Sequence, residues 1–126
     1  MIVVDTSVLL AIIIGEPERD ICLAALEAEA DRRISAGTLV EVFVSCERKR
    51  LDGIEDLVKA LDLKAHPVDA DASWLALEAY RRWGKGRHPA KLNFGDCFSY
   101  AAAKQLDCPL LFIGNDFSQT DIESVL

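Results

Sequence analysis

The sequence has no Cys-x-x-Cys pair and no Gly-x-x-x-x-Gly-Lys-Ser/Thr loop, and its longest apolar run is the seven residues Val8–Ile14. Each absence removes a class of function. The four cysteines (Cys22, Cys46, Cys97, Cys108) lack zinc-site spacing and lie mostly in helical or apolar patterns, so buried free thiols in a reducing cytosol are expected. Without the phosphate loop, binding of a nucleoside triphosphate has no support, although Lys85 lies between glycines. A membrane-spanning helix takes about 20 apolar residues. No positively charged segment precedes Val8, and Asp5 lies just ahead of it, so a secretory signal is not expected either. Basic residues are also scarce: 14 Lys and Arg against 21 Asp and Glu give a net charge of −7. That excludes a uniformly basic nucleic-acid-binding surface. A polyanionic partner would have to be met by a local basic patch or through bound cations.

What is present suits one domain over residues 1–126, with 51% hydrophobic and 28% charged residues and no repeat or linker. Ile2–Val4 is a short β-branched run ending at Asp5, which reads as a buried strand. Val8–Ile14 fits helix or strand by periodicity, and helix is expected. A second helix should open at Glu16-Pro17 with Cys22, Leu26 and Ala30 on one face. Residues 33–36 are strand-like. Thr38 is expected to start a helix to about Arg50, with Leu39, Val42, Phe43 and Cys46 inward. After a break at Asp52-Gly53 come a short helix, a strand over 64–68, and a helix over 71–83 with Trp74, Leu77 and Tyr80 at near-helical spacing. Trp74, Trp83, Phe43 and Phe98 read as core. Residues 84–93 form a Gly/Pro/basic loop, residues 94–106 a helix, and Leu110–Ile113 an apolar strand-like run. Strands alternating with helices of this length indicate an α/β fold with a mainly parallel sheet.

In such sheets ligands bind beyond the carboxyl ends of the strands. Asp5 follows the first strand and Asn115-Asp116 the last, so both ends of the chain would bring acids to one edge. Each candidate acid also has an ordinary structural role. Asp5-Thr6-Ser7 can cap a helix. Thr38-x-x-Glu41 and Asn93-x-x-Asp96 both match capping boxes, and Asp116 and Asp121 can sit in turns. Taken together, Asp5, Glu41, Asp96 and Asp116 all fall where a strand ends or a helix begins. Gathered without bases they would repel, and Mg²⁺ or Mn²⁺ relieves that. A divalent ion so held can activate water and stabilise a leaving oxygen, which is what phosphodiester hydrolysis needs. Between Arg81 and Lys91 a basic cluster, including Lys85, Arg87, His88 and Lys91, leads into Asp96 and is placed to meet a phosphate backbone. His66, beside Pro67 in an apolar segment, reads as structural.

Val3-Val4-Asp5-Thr6-Ser7, Glu41, Asn93-Phe94-Gly95-Asp96-Cys97 and Leu111-Phe112-Ile113-Gly114-Asn115-Asp116-Phe117 resemble PIN-domain ribonucleases. Within these the chain is similar to VapC toxins, and Gly84-Lys85-Gly86-Arg87-His88-Pro89-Ala90 is typical of one VapC subgroup. The resemblance covers essentially the whole chain. It implies a three-layer α/β/α PIN-like domain around a parallel sheet and a cytoplasmic, Mg²⁺- or Mn²⁺-dependent endoribonuclease using a metal-activated water. It also implies a homodimer restrained by a VapB-type antitoxin. By position, Asp5, Glu41 and Asp96 match the family's regular acids. Many relatives read Asp-x-Asp-Phe at the fourth, where this chain has Gly114-Asn115-Asp116-Phe117, so Asp116 is assigned there. Thr6 and Ser7 are placed to hold Asp5 or a metal-bound water, and Asn115 and Asp121 are secondary candidates. The competing reading is a non-catalytic PIN-like module that binds RNA or protein. An aspartyl-phosphate phosphatase would need a second Asp soon after Asp5, and a receiver-like domain paired early acids; neither is present.

Overall fold

The computed structural model describes residues 1–126. Four strands, β1 (Ile2–Val4), β2 (Arg32–Ser35), β3 (Lys64–His66) and β4 (Leu110–Leu111), form one sheet in the order β3-β2-β1-β4, paired in parallel throughout. The helices are α1 (Thr6–Ile14), α2 (Arg19–Glu27), α3 (Ala36–Lys49), α4 (Ile54–Ala60), α5 (Ala70–Trp83) and α6 (Phe94–Leu106). Alternation along the strands divides the core. Ile2, Val4 and Leu111 pack with Val8, Leu9, Cys22, Leu26, Val42 and Cys46 from α1 to α3. Val3, Leu110 and Phe112 pack on the other side with Ala79, Cys97, Tyr100 and Ala102 from α5 and α6. Helices therefore cover both faces, and the α/β/α expectation holds.

The chain lays β2 and β3 to one side of β1, then returns to place β4 on the other. The order reverses between β1 and β4, and a crevice opens beyond the carboxyl ends of strands at such a reversal. Asp5 stands at the end of β1, and Gly114-Asn115-Asp116 follows shortly after β4, so the two chain ends do meet at one edge.

Several local expectations are corrected. The second helix starts at Arg19, two residues after Pro17, and Ala30 lies beyond it and is exposed. The third starts at Ala36 because Ser35 caps it, accepting from Gly37 N at 3.2 Å. Thr38 is thus inside the helix, and the Thr38–Glu41 capping box does not form. The strand over 64–68 stops at His66, and β4 spans only Leu110–Leu111. Trp74 is not core: it is 70% exposed, and Leu77 and Tyr80 are also exposed. Helix α5 instead approaches α6 through small residues, Ala72, Ala76 and Ala79, which turns the bulky i, i+3 stripe outward. His66 is structural as expected, its Nε2 lying 2.7 Å from Gln105 Oε1. All four cysteines are free.

Candidate active site

Asp5 is buried at the junction of β1 and α1. It caps α1, its Oδ2 accepting from Ser7 N at 3.2 Å and Ser7 Oγ at 2.8 Å. Ser7 Oγ in turn accepts from Ile113 N at 3.1 Å, tying the start of α1 to the segment after β4. Thr6 Oγ1 donates to Glu41 Oε1 at 2.5 Å. Thr6 and Ser7 thus orient Glu41 and Asp5 respectively.

Two glycines let the helices carrying Glu41 and Asp96 come together. A Cβ on Gly37 of α3 would meet the Phe98 ring of α6 at 2.6 Å. A Cβ on Gly95 would collide with the Glu41 carboxylate, which lies directly over the first turn of α6. That turn offers free N–H groups and the positive end of the helix dipole, a favourable seat for a carboxylate. Asp96 completes the capping box foreseen for it: Asn93 N donates to its Oδ2, and Asp96 N donates to Asn93 Oδ1, both at 2.9 Å.

Burial pushes the Asp96 carboxyl up to about 7, and the nearby charges of Asp5, Asp116 and Glu41 add to the effect against the opposing Asn93 N–H. Asp116 is more open but is also raised, by desolvation first and then by Asp5. The four acids therefore share one electrostatic neighbourhood. None has a cationic partner: the molecule's ion pairs are Met1–Glu29, Arg33–Asp31, Arg82–Asp121 and Lys104–Asp121. Asp5 and Asp96 are buried, Glu41 is half-buried and Asp116 exposed, and an oxygen-only set of this kind without a basic partner has the donor chemistry of a hard divalent cation. In this conformation no three of the acids are drawn close enough to ligate one ion together. Mg²⁺ commonly takes only one or two carboxylates, with waters completing its shell.

Sequence reasoning passed over Ser99, which is fully buried and donates to Asp5 Oδ1 at 2.6 Å. It lies three residues after Asp96 on the same helical face, but its partner is Asp5, 94 positions away, so no local pattern marked it.

The PIN domain family model matches residues 2–123. The chain is 42% identical over 125 residues to Ribonuclease VapC42 of Mycobacterium tuberculosis, covering 95% of each. It is 42% identical over 130 residues to Ribonuclease VapC of Mycolicibacterium smegmatis, covering 98% of each. The chain belongs to the PIN-domain family. The crystal structure of Mycobacterium tuberculosis VapC20, described as a Sarcin-Ricin loop cleaving toxin, superposes with TM-score 0.77 at 20% identity, over 97% of this chain and 96% of that one. A toxin-antitoxin complex from Klebsiella pneumoniae gives 0.73 at 21% identity, over 96% and 93%. The fold is thus that of these toxin structures, and the family model with the relatives that align end to end make this chain a PIN-domain ribonuclease of VapC type. The reading as a non-catalytic module is set aside.

The remaining candidates of the PIN domain fall outside the cluster of four acids. Asn115 is exposed on the turn after β4, its backbone carbonyl accepting from Ser118 Oγ at 2.8 Å. Asp121 is engaged elsewhere, accepting from Tyr100 Oη at 2.8 Å and pairing with Lys104 Nζ at 2.9 Å. The basic loop is closed by Lys85 N donating to Leu92 O at 2.8 Å and Leu92 N donating to Trp83 O at 3.0 Å. Ala90 and Leu92 are buried beneath it, which leaves Lys85, Arg87 and Lys91 exposed. His88 Nδ1 accepts from Ala90 N at 3.0 Å, and its ring meets Trp83 edge-on. With Nδ1 so used, Nε2 is left as the ring's outward donor.

Proposed function

We propose that Asp5, Glu41, Asp96 and Asp116 hold Mg²⁺ or Mn²⁺ and that RNA is cut across this edge of the sheet. The observation that carries the reading is the buried Asp96 carboxyl beside three further acids with no basic partner among them. A divalent cation bound there would supply Lewis acidity and an activated water for phosphodiester hydrolysis. The chain's own residues do the rest. Ser7 and Ser99 fix Asp5, Thr6 fixes Glu41, and the Asn93 cap fixes Asp96. No side chain is assigned as a separate general base. Lys85, Arg87 and Lys91, with the Nε2 donor of His88, would hold backbone phosphates beside the acids, supplying locally the positive charge that the chain lacks overall.

The surface and the relatives support the partners of this reading. The groove between α5 and α6 is lined by Val68, Ala76, Leu77, Tyr80, Phe94 and Phe98. A neighbouring groove shares Val68, Phe94 and Phe98 with it and adds exposed Val40 and Val44, and Phe94 itself is 79% exposed. An apolar face this continuous fits burial against a second copy of the chain. A VapB-type antitoxin would place a basic segment against the acidic edge. The four free thiols suit the reducing cytoplasm as the place of action.

The test is cleavage of cellular RNA with Mg²⁺ and with EDTA. Cleavage should need the cation, and Asp5→Asn and Asp96→Asn should each lose it by at least about 100-fold while remaining folded. Cleavage by either variant at the wild-type rate would show the site to be misassigned.

A further inference from the structure

Asp5 is gripped by three donors: Ser99 Oγ on Oδ1 at 2.6 Å, and Ser7 N at 3.2 Å and Ser7 Oγ at 2.8 Å on Oδ2. A carboxylate offers about four lone-pair sites, two on each oxygen. Oδ2 is therefore filled, and Oδ1 keeps one site. Ser99 has a single hydroxyl proton, already given to Asp5. The 3.1 Å contact between Thr38 Oγ1 and Ser99 Oγ must then be a donation from Thr38. Thr38 and Ser99 are both 0% exposed, so solvent has no access to take the place of either hydroxyl. The proton order is fixed along the chain Thr38 to Ser99 to Asp5. Thr38 lies three residues before Glu41 on α3, and Ser99 three residues after Asp96 on α6. The chain thus joins the three elements that carry three of the acids, and it leaves the Asp5 carboxylate little freedom to rotate.

We infer that Ser99, its hydroxyl oriented by Thr38, is a positioning residue that limits Asp5 to ligating a cation through one Oδ1 lone pair. The inference rests on the reading of Asp5 as a cation ligand. Its consequence is selectivity among cations. Mg²⁺ demands near-ideal octahedral geometry and is served by single-oxygen carboxylate contacts. Ca²⁺ is larger, takes more ligands and accepts bidentate carboxylates. A carboxylate with three of its four lone-pair sites already filled favours the first ion. Removing the Ser99 hydroxyl frees the second Oδ1 site and lets the carboxylate turn away from its Ser7 donors, so that both oxygens can reach a larger ion. Partners that hold a ligand in place are commonly worth about 10–100-fold in metal affinity.

The experiment is calorimetric titration of the folded protein with Mg²⁺ and, separately, Ca²⁺, without RNA. Ser99→Ala should weaken Mg²⁺ binding by about tenfold and leave Ca²⁺ binding equal or tighter, so that the Mg²⁺/Ca²⁺ preference falls by at least that factor. Thr38→Val keeps the shape and removes only the donor, and it should shift the preference the same way by a smaller factor. Thr38→Ser, which keeps the hydroxyl, should restore it. If the two hydroxyls serve stability alone, melting points will fall while the Mg²⁺/Ca²⁺ preference stays at the wild-type value, and the inference is overturned. If the wild type binds neither cation, the metal reading of the four acids fails and the inference falls with it. Wild-type binding with unchanged variants defeats the inference alone.

Discussion

Replacing Asp96 with Asn should stabilise the cation-free protein at pH 8 even as it ends catalysis. The residue is 7% exposed, and burial with three neighbouring acids carries its carboxyl from 3.8 to about 7. A group with a raised value in the folded state favours folding while it is protonated. That contribution is full below about pH 4, declines as the unfolded chain ionises first, and is gone once the pH passes about 7. At about 1.4 kcal/mol per pH unit, the displacement has a ceiling of about 4 kcal/mol. Relaxation and partial hydration reduce that figure. The opposing Asn93 N–H bond at the start of α6 is already contained in that displacement. A net gain of about 1–2 kcal/mol at pH 8 remains, or roughly 4–8 °C in melting temperature for a chain of this length. Thermal unfolding in EDTA from pH 4 to pH 8 measures it. The two proteins should melt together near pH 4 and separate as pH rises, with the gap constant above about 7. Mg²⁺ should then raise the wild type and leave the variant where it is. An Asn variant that melts below the wild type at pH 8 in EDTA, or a gap that ignores pH, would refute the electrostatic account of the site.

Gly95→Ala adds a methyl where the Glu41 carboxylate lies. The carboxylate is the mobile end of a side chain, and Ala favours helix over Gly by about 1 kcal/mol. Melting temperature should therefore hold or rise while the cleavage rate drops about tenfold, and full activity would contradict the packing of Glu41 over α6. Lys85→Ala with Arg87→Ala should weaken RNA binding and flatten its salt dependence by about 0.7 in logarithmic slope for each phosphate no longer neutralised, with the rate at saturating RNA preserved. Asp121→Asn should cleave RNA at the wild-type rate, because its carboxylate serves Lys104 and Tyr100; a loss like that of Asp96→Asn would place it in the site after all. The proposed homodimer predicts that the wild type sediments as a dimer and Leu77→Glu, in the groove, as a monomer; a monomeric wild type would refute the dimer, and a dimeric variant would move the interface off this face.

The strands, their parallel order and the helix over 94–106 were legible because β-branched runs, caps and turn residues agreed with one another. The Asn93–Asp96 capping box could be read from spacing alone and formed as read. The Thr38–Glu41 box could not be trusted on spacing, because Ser35 is an equally good cap three residues earlier and Ala36-Gly37 continue the helix from it. Trp74 misled for a related reason. Periodicity shows that a helix has two faces, but which one is buried depends on whether the neighbour offers bulk or small residues, and α6 offers Ala102 and Ala103 to the alanines of α5. Asp5 and Asp96 were legible as strand-end and helix-start residues, whereas Glu41 lies in the second turn of α3 and Asp116 five residues beyond β4. Ser99 was hidden because one hydroxyl in an apolar helix carries no local signature, and its meaning comes only from Asp5, 94 positions away.

The central claim is that Asp5, Glu41, Asp96 and Asp116 form one divalent-cation site. It is tested most directly by anomalous X-ray scattering from crystals of the protein equilibrated with Mn²⁺. The account predicts a Mn²⁺ peak at the carboxyl ends of β1 and β4, within ligand distance of Asp5 Oδ1 and at least one other of these acids, and its loss in Asp5→Asn. Saturating Mn²⁺ with no peak among the four carboxylates would contradict it.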